Sequence, residues 1–167
     1  MMRPQDILIL LAIVDKQGKP WMGKDLAYEL GISGGEISES LRRSKKSGLY
    51  DEANKSVNRQ ALFDFLIYGL RYVFPAQSGN LTKGVPTTVS TAPLNSRTDS
   101  TDRFVWAHPK GTLRGQSISP LYPSVPDAAM RSTSLHALFA LTDTLRAGKI
   151  RERELAKQEL EKLILVG

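Results

Sequence analysis

"LGISGGEISESLRRSKKSGL", Leu30 to Leu49, decides how this chain is read. Two adjacent glycines, Gly34 and Gly35, follow Ser33, and four cations, Arg42, Arg43, Lys45 and Lys46, crowd the far end. Inside a helix each glycine costs about 1 kcal/mol against alanine, and clustered cations repel one another. Ser33 with Glu36 three positions on nevertheless reads as a capping box, each side chain satisfying an orphan amide of the other residue, and Gly48 suits the stop. On a wheel of about 3.6 residues per turn, Ile37 and Leu41 share one stripe with Ser44 beside them. Gly35, Glu39, Arg42 and Lys46 fall opposite, flanked by Ser38 and Arg43. A sequence that keeps a bare helix start and a positive flank suits an anionic partner. The free amides can approach sugar–phosphate or base edges while the basic end lies along phosphates.

The segments on either side support this reading. "PQDILILLAIVDK" begins at Pro4, where a missing N–H is harmless, and sets Ile7, Leu8, Leu11 and Val14 on one face. "WMGKDLAYELG" predicts a short second helix with Leu26, Ala27 and Leu30 inward and Gly31 closing it. A short helix, a glycine turn and a helix with one apolar and one polar-basic stripe fit a recognition helix in a DNA major groove. After it, "LYDEANKSVNR" leaves room only for a stunted hairpin, from which Lys55 and Arg59 could reach phosphate while Asp51 and Glu52 oppose it. Glu39 has two readings: an acceptor for a cytosine amino group, or the mark of a helix that no longer reads DNA.

The whole segment "KDLAYELGISGGEISESLRRSKKSGLY" resembles the helix-turn-helix of winged-helix bacterial transcriptional regulators, including the MarR-type family. Asp25-Leu26-Ala27, Leu30-Gly31-Ile32-Ser33, Ile37-Ser38, Leu41 and Gly48-Leu49-Tyr50 carry the likeness, which extends over roughly Pro4 to Arg59. It implies a double-stranded DNA-binding domain over residues 1–59. The expected contact residues are Lys24, Ser33, Gly34, Gly35, Ser38, Glu39, Arg42, Arg43, Lys45, Lys46, Lys55 and Arg59. The expected function is sequence-specific binding as a dimeric regulator, a repressor since nothing suggests an activation surface. The alternative is a protein-interaction module, or an antitoxin-like partner, that reuses the scaffold.

The remainder divides into three. Residues 60–74 continue "NRQALFDFLIYGLRY", a long, mostly buried linking helix capped by Asn58. Residues 75–103 are crowded with Ser, Thr, Pro and Gly and predict a polar loop or arm. Residues 104–167 predict two short strands around a "PKG" turn, a small β-hairpin, followed by two helices split at Gly148, the first capped by Ser134. The fold class expected is thus mainly α: an N-terminal winged helix-turn-helix, an arm, a small hairpin and a C-terminal helical pair. Because that pair carries wide apolar stripes (Leu135, Leu138, Phe139, Ala140, Leu141 and Leu145, then Leu155, Ala156, Leu160, Leu163 and Ile164) it is the expected homodimer surface, little sequence preceding Pro4. Arg71, Tyr72 and Lys83 are read either as lining an anionic-ligand pocket or, preferably, with Tyr72 and Phe74 as core. Trp106 and His108 are read either as a base-stacking site or, preferably, as a packed Trp106 beside an exposed His108.

Bulk composition narrows the classes. The chain has 167 residues, a formal charge of +6 and no cysteine, which favours an anionic partner and removes disulfides and thiolate metal sites. Only two histidines are present, so neither a metal site nor a cofactor is expected. The run Ile7–Val14 is too short to cross a bilayer and lacks the flanks of a signal peptide, so no membrane contact and a cytoplasmic location are expected. No nucleophile–base pair, paired carboxylate set or phosphate loop is present, "SGGE" lacking the Lys-Ser/Thr of a P-loop; an enzyme is not expected.

Overall fold

A computed structural model describes residues 1–166 and is mainly α. The first helix, α1 (Pro4–Asp15), is buried all round from Gln5 to Val14 rather than along one face. The reason is that it lies between two groups of elements. On one side pack α2 (Gly23–Leu30) and α3 (Gly34–Lys46), and on another α7 (Thr133–Ala147). Between α2 and α3, Gly31 closes α2 in the left-handed region at φ 64°, which a side chain would resist. Past α3, β1 (Tyr50–Asp51) and β2 (Ser56–Val57) pair antiparallel as a two-stranded ribbon.

The linking helix is shorter than its periodicity predicts. The Asn58 side chain accepts from the Ala61 amide and starts α4 (Arg59–Tyr68), but the helix breaks at Gly69 before a single turn, α5 (Leu70–Val73). Leu62, Leu66 and Leu70 are buried, whereas Tyr72 is exposed and Phe74 only partly covered, so the core reading of Tyr72 is corrected.

The largest correction concerns residues 75–103, expected as a polar arm. They contain a nine-residue strand, β3 (Ser78–Pro86), and two 3₁₀ turns, Thr88–Ser90 and Leu94–Ser96. The strand forms because its backbone finds two partners. β3 pairs antiparallel with both β4 (Phe104–Ala107) and β5 (Leu113–Ile118), and β4 pairs parallel with β5, so the three strands close on one another. Val85, Val89 and Leu94 then bury, and Thr87 donates to the buried Asp143 at 3.2 Å.

The predicted hairpin of β4 and β5 is replaced by this arrangement. Gly84 lies opposite Ala107 on one side and Leu113 on the other, so residues 108–112 must cross β3 at Gly84, within the strand. Glycine permits the close approach on both sides: a Cβ on Gly111, in the connection, would sit 2.1 Å from the Gly84 carbonyl carbon, and a Cβ on Gly84 would sit 2.0 Å from the Trp106 carbonyl oxygen of β4.

A helix not predicted, α6 (Val125–Arg131), leads into α7, which is capped by Ser132 and not Ser134. The Ser134 hydroxyl instead donates to Asp15 at 2.9 Å. The final helix, α8 (Ile150–Glu161), continues in a wider turn over Lys162–Val166; Gly167, which ends its predicted span, lies outside the described residues. Leu135, Leu138, Phe139, Leu141 and Leu145 of α7, and Leu155, Leu160 and Ile164 beyond it, are all buried within the one chain and join the core of α1. The apolar stripes expected to pair two copies are therefore covered by α1, α4 and each other, except at Leu163, which stays exposed. Among the described residues no helix is long and apolar enough to cross a membrane.

Candidate nucleic-acid interface

The third helix begins with half of its expected capping box. Ser33 Oγ accepts from the Glu36 amide at 3.1 Å, but the Glu36 carboxylate turns to Gln5 Nε2 at 2.8 Å and Arg43 at 3.0 Å. Those bonds, from Gln5 first and Arg43 second, hold its carboxyl below the usual glutamate range. Gly34 and Gly35 have ordinary helical backbone and open space where a Cβ would stand, with nothing within 4 Å. The fold therefore does not require glycine at either place. Behind them Ile37, Ser40 and Ser44 are buried, while Gly35, Ser38, Glu39, Arg42 and Lys46 face solvent.

The structure brings Ser33, Gly34, Gly35, Ser38, Glu39, Arg42, Lys45 and Lys46 onto one exposed surface, with Lys24 on the first turn of the adjoining α2. It does not bring the other three candidates there. Arg43 faces inward: its guanidinium makes three hydrogen bonds of 2.8–3.2 Å to Asp6, which is wholly buried on α1, and a fourth to Glu36. The hydrogen bonds to Asp6 push its basicity above the ordinary arginine value. Arg43 is thus a clamp between α3 and α1, and its expected place among the contact residues is corrected. Lys55 folds back onto Trp21, donating to its carbonyl at 2.8 Å with the ammonium 4.4 Å from the ring centroid. Arg59 donates to the Ile164 carbonyl at 3.3 Å, drawn toward the C-terminal segment.

Charge on this surface is nearly balanced. Lys24, Arg42, Lys45 and Lys46 share it with Asp25, Glu39, Asp51 and Glu52. Arg42 pairs with Glu39 at 2.9 Å and Lys45 pairs with Glu52, both pairs exposed. The Lys45 hydrogen bond holds Glu52 below the usual range, and bonds from Asn54 do the same for Asp51. Exposed pairs of this kind contribute only about 0–1 kcal/mol, so an incoming phosphate could displace the carboxylate at little cost.

The net positive charge is concentrated elsewhere. Residues 1–74 hold eleven cations against nine acids, and residues 75–167 hold twelve against eight. Lys83, Arg103, Lys110 and Arg114 lie on or beside the three-stranded sheet, exposed, and among the described residues none has a salt bridge or side-chain hydrogen bond. Of these only Lys83 stands out in the sequence, beside Arg71 and Tyr72, and the cleft that Arg71 and Tyr72 line does not include it. The signal that could have found the group is the lack of any acid between Arg103 and Pro126, or between Ser78 and Thr98.

Two further candidates resolve. Trp106 is fully buried, its indole N–H donating to Asp143 at 2.6 Å, so it offers no face for stacking. His108 is mostly covered rather than exposed: it accepts from the Lys110 amide at 3.0 Å through Nδ1, so Nε2 carries the proton toward Asp127 at 2.8 Å. Arg71 and Tyr72 line an open cleft of about 300 Å³ with Tyr68, Ile150, Arg153 and Lys157. No protein family, curated protein or solved structure matches this chain.

Proposed function

We propose that this chain is a sequence-specific double-stranded DNA-binding regulator of the winged helix-turn-helix kind, acting in the cytoplasm as a repressor by occupying its operator. In this reading α2, the Gly31 turn and α3 form the helix-turn-helix, and β1–β2 is a very short wing. The observation that carries it is the pair Gly34 and Gly35. They stand at the start of a capped helix where the fold neither needs glycine nor fills the space, so their bareness serves something that approaches from outside. A groove-bound helix presents its first residues to base edges, and Ser38, Glu39 and Arg42 follow on the same exposed face. Glu39 would accept from a cytosine amino group; Lys24, Lys45 and Lys46 would hold phosphate.

Reading two half-sites requires two copies. With the α7 and α8 stripes covered, pairing falls to the side chains still exposed around the α4–α5 and α8 cleft: Tyr68, Tyr72 and Ile150, between 70% and 78% exposed. Large exposed apolar side chains grouped on one surface mark partner sites.

A second reading, a protein-interaction module or antitoxin-like partner, draws on the balance of four cations and four acids around α3. One experiment separates them. Duplex binding measured against salt should give a steep slope, and Arg42→Ala with Lys46→Ala should make it shallower by about 2. Flat salt dependence in the parent protein would favour the interaction module, and a mass of one chain at micromolar concentration would remove the pairing.

A further inference from the structure

The three-stranded sheet contains an arrangement that its own stability does not explain. Lys83 of β3 lies directly opposite Arg114 of β5, between Thr82↔Gly115 and Gly84↔Leu113 in an antiparallel ladder. Side chains so placed stand on one face with Cβ atoms about 4.5–5.5 Å apart, and like charges there destabilise the pairing. No carboxylate relieves them: β3, β4 and β5 contain no Asp or Glu. Arg103 lies on the other face, beside Gly115, where an added Cβ would meet the Arg103 Cβ at 3.0 Å, and Lys110 lies in the connection beside His108. An exposed Leu81 completes the face, opposite Gln116.

The sheet is also linked to the start of α3. Asp127 of α6 holds His108 at 2.8 Å, and Ser124, the residue before α6, lies against Gly31, where an added Cβ would meet its Cβ at 3.5 Å. Gly31 opens the turn into α3. Two contacts thus connect the Lys110 loop with the helix start that the DNA reading places in the groove.

We propose that the outer face of this sheet, through Lys83 and Arg114, is a second nucleic-acid contact that grips the phosphate backbone of the duplex engaged by α3. It supplies the excess positive charge that the balanced α3 surface lacks, and it reads no sequence, since phosphate contacts position without specifying. The proposal rests on the DNA-binding reading.

The test compares full-length parent, Lys83→Gln with Arg114→Gln, and Arg42→Ala with Lys46→Ala, on one random-sequence duplex across a salt series. The sheet variant should bind more weakly to every sequence, its slope of log affinity against log salt shallower by about 2. Its melting temperature should equal or exceed the parent's, because a repulsive pair has gone; a merely structural role would lower it. If the sheet variant keeps parental affinity and slope while the α3 variant loses both, the second contact is refuted and the DNA reading stands. If the parent itself shows no salt-dependent duplex binding, the DNA reading fails and the second contact falls with it. Charge reversal, Lys83→Glu with Arg114→Glu, guards against compensation: it should abolish duplex binding at moderate salt, and parental binding would overturn the proposal.

Discussion

Four exposed cations stand on or beside α3 and four stand on or beside the three-stranded sheet, yet the two surfaces differ in kind. Around α3, Lys24, Arg42, Lys45 and Lys46 are interleaved with four carboxylates, and two of the cations are already paired. On the sheet, Lys83, Arg103, Lys110 and Arg114 have no acid on any strand to meet them. The first surface is dense in charge and poor in field; the second is sparse in charge, and its strands carry cations only, with Asp102 and Asp127 at its borders. What a cluster of cations does depends on what the fold packs against it. Arg43 makes the point within α3 itself, since the fold turns it onto Asp6 and removes it from the surface.

The largest expected effect therefore separates Arg43 from its neighbours. Arg43→Ala leaves Asp6, buried completely on α1, without its counter-charge. Breaking a buried pair in this way costs about 3–5 kcal/mol, to be measured by denaturant unfolding with Arg42→Ala as control. The control should stay within about 0.5 kcal/mol of the parent, as exposed substitutions usually do. A loss at Arg43 no larger than at Arg42 would make the clamp a surface pair and return Arg43 to the contact face.

How far the sequence reveals this difference follows from the range of the interactions. The elements α1, α2 and α3 are legible because their signals are local: Pro4 at a helix start, Ser33 as a cap, Gly31 and Gly48 as stops, and an apolar stripe between. The partner of Arg43 lies 37 residues away, and a wheel gives only the direction of a side chain, not what waits there. β3 was hidden more thoroughly. Its Ser, Thr, Gly and Pro read as loop, and its partners β4 and β5 follow only after two 3₁₀ turns. Buried Thr87 and Thr88, polar by composition, are covered because Asp143 takes the Thr87 hydroxyl and the sheet closes over both. The exposed face of α3 was legible; the basic face of the sheet depends on a register that no local pattern encodes.

Acid should act on the two regions with opposite sign. Glu36, between α1 and α3, titrates below its ordinary value of 4.5 when folded. Its contribution to stability is complete above that unfolded value and is lost as pH falls through the folded one. Asp143, buried beneath the sheet, is pushed above its ordinary 3.8, chiefly by burial and against the pull of Arg146. It penalises the folded state at neutral pH, and the penalty is relieved as pH falls through its raised value. Hydrogen exchange followed from neutral pH downward through the folded value of Glu36 should therefore show α1 and α3 losing protection while β4 and α7 hold or gain it. Uniform loss in both regions would erase the distinction between the two buried acids.

The smallest effect tests why α3 opens with glycines at all. Gly35→Ala places a methyl in open space on ordinary helical backbone, so nothing in the fold opposes it. Alanine both favours the helix and restricts the unfolded chain, and the gain should be up to about 1 kcal/mol in thermal or denaturant unfolding. Duplex affinity should fall in the same protein, because the added methyl stands where base edges or sugar would approach, while the salt slope stays at the parental value since no phosphate contact has changed. That combination, a more stable protein that binds more weakly with the same slope, distinguishes steric closure of the groove-facing end from any loss of charge. It also sharpens the contrast with Lys83→Gln, where the slope itself should move. If Gly35→Ala binds as the parent does, the open helix start serves no approaching partner and α3 loses its place as the reading element. The sheet would then be the stronger candidate for whatever polyanion the chain meets.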